Sequence, residues 1–224
     1  MRFGSIKCIT AVLMVAVVPF STAGTPLVCF PYDIGDAPSL PWIADGGTGQ
    51  GRGDYDTGRL VADTLALLGE QTPVIVRMET IRRAALYAGK DDAAGRQLLE
   101  RLRDRSQAAS GSGRALALFD YGYLVETLKQ AVGSKTRTGA MAAAVNGYDF
   151  ICRASAARGE DPEMEFAAAK VSAWPRQPGY ETHLQKAAAG ANNDRLLATN
   201  LRLQFPSLSI PGNSGMRAEI TRKK

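Results

Sequence analysis

The sequence predicts an all-α fold: seven or eight short antiparallel helices, as stacked hairpins or an irregular bundle, behind an extended Pro-rich N-terminal strap. Three observations predict it. Apolar residues recur at spacings of three and four from about residue 57 to 204, which is the helical period. The connections between these segments are short and rich in Gly, Pro, Ser and Asn, as antiparallel helical neighbours require. No segment alternates apolar with polar residues in the manner of a half-buried strand.

The elements follow in chain order. Arg2 and Lys7, the apolar run Ile9–Phe20 and the small residues Ser21–Ala23 read as a signal peptide over 1–23, so the chain is expected to be exported, periplasmic or secreted. That run is too short to span a membrane and no later one is long enough, so no span is expected in the mature chain. Residues 24–55 form the strap and a Gly-rich linker. Prolines at 26, 31, 38 and 41 forbid a helix there and extend the residues that precede them. Phe30, Ile34, Leu40 and Trp42 are expected to bury their apolar surface between helices.

The helical domain covers 56–205. Its first helix is expected over about 57–69 with Asp56 as cap, and its second begins at Thr72 as cap with Pro73 in the first turn and stops at Gly89. A third runs from about Asp92 to Ala109, a fourth from Arg114 to Val132 and a fifth from Thr138 to Arg158. Asp161 and Pro162 open a sixth; shorter ones follow over about 179–189 and 193–204, the last capped by Asn192 or Asn193. Residues 206–224 read as a loose basic tail.

Charge excludes one class of partner. Two of the 27 basic residues leave with the signal peptide, and the tail from Asn213 carries four more against one acid, so the body from Gly24 to Gly212 is neutral. Without a basic face to displace counterions, nucleic acid is not expected as a partner. Cysteine usage points the same way as the leader: Cys29 and Cys152 remain after cleavage, and two cysteines in an oxidising compartment are expected to pair as a disulfide. Cys29 is preceded by Pro26, Leu27 and Val28, which is not a lipid-attachment pattern.

Chemistry-bearing motifs are sparse. There is no CxxC, and the sole histidine, His183 in YETHLQK, reads as a helix-surface residue, so neither a metal nor a cofactor is expected. GGTGQGRG, residues 46–53, lacks the GK[ST] of a phosphate loop and reads as linker. RGD at Arg52–Asp54 carries no further signal, and Asp54 and Asp56 read as turn and capping residues because the later positions of a calcium loop are absent.

The stretch ALALFDYGYLVETLKQA, Ala115–Ala131, with Gly122 among large residues, resembles the first helix of a tetratricopeptide-like hairpin. The resemblance covers one hairpin and implies architecture alone, since the period of about 34 residues and its closing proline are missing. Two functions are compatible with these observations. One is an exported scaffold or interaction module for an unidentified envelope protein or peptide. The other is a carboxylate-dependent cell-wall enzyme resembling an all-α lytic transglycosylase. Glu79 and Glu126, set among apolar neighbours, are the residues that such acid catalysis would use. On the fourth helix Leu118, Tyr121, Leu124, Val125, Leu128, Ala131 and Val132 share one arc. Phe119, Tyr123, Glu126 and Gln130 lie opposite. That second face either packs on another layer or lines an open groove as a binding site.

Overall fold

The computed structural model describes residues 26–44, 49–173, 177–206 and 208. The expected signal peptide and most of the expected tail lie outside them. The described residues form nine α-helices, two single turns of 3-10 helix and a two-residue hairpin, so the fold is all-α. Among the described residues no helix is long and apolar enough to cross a membrane.

Asp56 caps a 3-10 turn, Thr57–Arg59, by accepting the Gly58 N–H, and α1 (Leu60–Leu67) continues from it. The second helix, α2 (Val74–Ala88), is buried along most of its length. Its start departs from the expected cap: the Thr72 hydroxyl donates to Leu67 O, and Pro73 precedes the helix. The Val74 N–H instead donates to Glu163 Oε2 at 2.7 Å, a cap lent by a helix 89 residues away. Asp91 caps α3 (Asp92–Ala108), after which α4 (Gly113–Ala131) runs through the centre of the molecule. The later helices form where expected, and the cap differs in one of them. Asp161 accepts the Glu163 and Met164 N–H groups with Pro162 in the first turn, and so opens α7 (Pro162–Ser172). Tyr180–Gly190 is α8. Asp194 caps α9 (Arg195–Gln204) in place of the expected asparagine.

The expected fifth helix is two. α5 (Arg137–Ala143) and α6 (Gly147–Ala157) are separated by Asn146, whose extended backbone and side chain, accepting the Asp149 N–H, cap a new start. The break lets α6 cross α4 at close range, Gly147 against Gly122. A Cβ on Gly122 would lie 2.6 Å from Gly147 O and 2.7 Å from Phe150 Cβ, and one on Gly147 would lie 2.4 Å from Gly122 O. Two backbones therefore touch where any side chain would separate them. Gly122→Ala is expected to cost about 1–3 kcal/mol by overpacking, read as a lower urea midpoint. An unchanged midpoint would mean that α6 can slide.

The strap lies along the bundle, and its buried side chains match the expectation only in part: Leu40 is buried as expected, while Phe30 is not. Leu27, Tyr32 and Leu40 enter the core, Ile34 and Trp42 are half-buried, and Phe30 is 52% exposed. The linker is partly structured, because Trp42–Ile43 (β1) pairs antiparallel with Gln50–Gly51 (β2). Arg52 and Asp54 of the RGD form a local, exposed ion pair at 2.7 Å.

The borrowed cap carries a pH signature. The Glu163 carboxyl is pushed up from 4.5 to about 7, first by burial and then by Asp194, against the Val74 N–H that favours its charged form. Between those two values the fold holds a proton that the unfolded chain has released. This contribution to stability is therefore complete below pH 4.5 and is lost as pH rises through about 7. Glu163→Gln, which keeps the acceptor for Val74, is expected to flatten that part of the stability profile. Denaturation midpoints of both proteins at about pH 5 and about pH 7.5 check it; equal slopes would exclude Glu163 as the source.

Candidate functional site

Helix α4 presents Phe119, Tyr123, Glu126 and Gln130 to the strap and to the start of α6. Phe119 and Tyr123 have no exposed surface and stack on each other, ring centroids 5.6 Å apart. The Tyr123 hydroxyl meets that of Tyr32 at 2.8 Å, and Gln130 Oε1 accepts the Leu27 N–H at 2.7 Å, so two strap residues close over the helix. Glu126 Oε1 accepts the Gly147 and Tyr148 N–H groups and the Lys129 ammonium, satisfying the open N-terminus of α6. The four residues do share one side of the helix, and what covers that side is strap and helix start.

Glu79 of α2 is similarly occupied. Arg82 donates to both carboxylate oxygens, at 2.7 and 2.9 Å, Arg83 donates at 2.8 Å and the Tyr32 N–H at 3.0 Å. Deeper in, Arg77 and Asp120 form an ion pair without exposed surface, at 2.7 Å. Arg77 also donates to Thr72 O and Gly69 O, so its fork is spent on one carboxylate and the turn before α2. Burial raises the Asp120 carboxyl despite this partner.

The remaining chemistry gathers where α6, α7 and α8 meet. The disulfide expected between Cys29 and Cys152 is not formed; both are free thiols. Their surroundings differ. Cys29 borders a cavity beside Leu86, Tyr87 and Lys90 at the end of α2, whereas Cys152 Sγ stands 3.9 Å from His183 Nε2. His183, read from sequence as a surface residue, has a side chain only 14% exposed and uses both ring nitrogens. Its Nδ1–H donates to Glu165 Oε2 at 2.6 Å, which leaves Nε2 to accept the Tyr148 hydroxyl at 2.7 Å. Ser155 donates to the other Glu165 oxygen at 2.5 Å. Gly179, at φ 95°, lets the chain pass this pair closely: a Cβ there would sit 3.3 Å from the Tyr148 hydroxyl.

No protein-family model, curated protein or solved structure matches the chain. The cluster must therefore be judged by its chemistry. A buried carboxylate orients an imidazole and the imidazole faces a thiol, which is the order of a nucleophile, base and orienting acid. Two features oppose that use. Burial pushes the Cys152 thiol up, and Glu165 and Asp149 add to it against the Tyr148 hydroxyl; the net rise disfavours the thiolate. Cys152 also lies inside α6, where its own N–H is spent within the helix and offers nothing to an oxyanion. The arrangement is a hydrogen-bonded clamp joining three helices. No group of three His, Cys, Asp or Glu among the described residues is arranged to hold a metal.

Part of this clamp was visible in advance. Tyr148, Cys152 and Ser155 follow at spacings of four and three, so one stripe of the helix carried three hydrogen-bonding side chains. Nothing local announced that Glu165 and His183 would meet it.

Proposed function

We propose that the chain is an exported helical scaffold that binds an envelope protein or peptide, and that it does not cleave the cell wall. The observation that supports this most is the state of Glu79 and Glu126. A catalytic acid must offer a proton to a substrate oxygen, which requires an accessible carboxyl. Glu79 is wholly buried beneath two arginines and a backbone N–H, and Glu126 is engaged by Lys129 and the start of α6. The exposed large apolar side chains among the described residues are Phe30, Ile43 and Leu203, two of them on the strap segment, which favours that side for a partner.

The test has two arms. Purified protein beginning at Gly24 is incubated with peptidoglycan, and release of soluble fragments would overturn the reading. A tagged copy is then recovered from the native envelope beside a Phe30→Ser, Ile43→Ser double variant. The expected result is a stoichiometric companion that the double variant fails to retain; identical recovery with both removes the strap side as the binding face. N-terminal sequencing of the same material is expected to start at Gly24, and an intact Met1 would exclude export by cleavage.

A further inference from the structure

The strap is held by its main chain as much as by its side chains. From Pro26 to Pro41 it forms neither helix nor strand, and polar side chains of α2, α4 and α9 reach it. The reading is densest over Pro31–Asp33. Gln204 of α9 donates to Pro31 O at 3.4 Å, and Glu79 of α2 accepts the Tyr32 N–H at 3.0 Å. Asn200, one turn before Gln204, takes both main-chain groups of Asp33: it accepts the N–H at 2.9 Å and donates to the carbonyl at 2.7 Å. Between these bonds the Tyr32 ring enters a pocket. It meets Phe166 of α7 edge on, with centroids 5.9 Å apart, and its hydroxyl meets that of Tyr123 on α4 at 2.8 Å.

A segment that only covered the bundle could rest on apolar side chains. Here Glu79, Tyr123 and Asn200 have no exposed surface, and polar groups at such positions are costly unless they are bonded. The bonds that meet them over these three residues go to the main chain and to one hydroxyl. The exposed Asp33 carboxylate is not read, since its Oδ1 accepts the Gly35 N–H within the strap itself. Pro31 has no N–H to satisfy beside the anchor. Main-chain groups are the same in every sequence, so the groove specifies a backbone path and one hydroxylated aromatic anchor, and tolerates changes elsewhere.

We propose that this groove is a peptide site that the strap fills in cis. A Pro-Tyr-X segment of another protein, following the path of Pro31–Asp33, takes the Tyr32 pocket and the bonds of Glu79, Asn200 and Gln204 when it displaces the strap. This rests on the scaffold reading and gives the partner a chemistry. The tethered strap competes at an effective concentration of about 1 mM, so a free peptide with the same contacts is excluded well below that. Weakening the strap removes the exclusion.

A fluorescein-labelled peptide copying residues 26–41 is titrated, with anisotropy as readout, into the protein beginning at Gly24 and into its Tyr32→Ala and Leu27→Ala variants. Both variants loosen the strap and leave the groove residues in place, and Leu27→Ala carries the test if Tyr32→Ala does not fold. The unmodified protein is expected to bind only near about 1 mM, and the variants at least about tenfold tighter. Alanine at Asp33 of the peptide is expected to change little. Phenylalanine at its Tyr32 is expected to weaken binding by about tenfold, a difference that disappears when the protein carries Tyr123→Phe. No binding by either variant up to about 1 mM would overturn the proposal, as would binding that Asn200→Ala leaves unchanged. A dimer of the unmodified protein that grows with concentration in gel filtration would make the occupant the strap of a second copy and overturn the foreign segment. Failure here is separate from failure of the scaffold reading, because recovery from the envelope reads the outer side of the strap through Phe30 and Ile43, whereas the peptide reads the groove beneath it.

Discussion

Replacing Phe119 and Tyr123 together with alanine is expected to bring the protein to the edge of unfolding. Each side chain is buried without residue, and truncating a buried aromatic costs about 3–5 kcal/mol. The rings contact each other, so their losses will not add exactly as independent sites do. The Tyr32 hydroxyl, paired with that of Tyr123, is also left in the core without its partner, a further cost of about 1–3 kcal/mol. Against a total stability of about 5–15 kcal/mol, little margin remains. Thermal unfolding followed by circular dichroism reads the effect, and Tyr123→Phe alone isolates the hydroxyl. A double variant that kept its midpoint and lost a co-purifying partner would instead favour an open groove at this face of α4.

The second large effect is expected at the Arg77–Asp120 pair. Asp120→Asn keeps the shape but leaves the Arg77 guanidinium buried without its counter-charge; Arg105, at 3.8 Å from the same carboxylate, loses its partner too. Breaking a buried pair on one side costs about 3–5 kcal/mol. Replacing both members by apolar residues of similar volume, Arg77→Met with Asp120→Leu, is expected to recover most of that loss, since desolvation of both charges is then avoided. Urea unfolding of the single and double variants checks the order. If the double variant were as unstable as Asp120→Asn, the bonds from Arg77 to Thr72 O and Gly69 O would be the larger contribution.

The helices were legible where local chemistry decides. Asp161 followed by Pro162 and the apolar period of α4 each specify an element without reference to the rest of the chain. The reading failed where a distant residue supplies what the local sequence omits. Val74 begins α2 because Glu163 satisfies its N–H, and no window around Thr72 contains that carboxylate. The periodicity around 138–158 is continuous in its apolar residues, yet Asn146 and Gly147 divide it because α4 passes too close for any other residue. The cysteines were paired by compartment and count, an argument that says nothing of direction. Cys152 faces His183 because the stripe shared with Tyr148 and Ser155 turns toward α7 and α8.

The clasp between the strap and α9 bears on the order in which the chain folds. Asn200 accepts the Asp33 N–H at 2.9 Å and donates to Asp33 O at 2.7 Å, while Gln204 donates to Pro31 O, so the first described segment is held by the last described helix across 167 residues. Closing so long a loop is entropically costly until the intervening helices have brought its ends together. The strap is therefore expected to dock after the transition state. Weakening the clasp, as in Asn200→Ala, is expected to raise the unfolding rate and leave the refolding rate nearly unchanged in stopped-flow measurements. A chain made only as far as α8 would lack Asn200, and in it the hydroxyl of Tyr123 and the carboxylate of Glu79 are expected to await the strap groups that complete them.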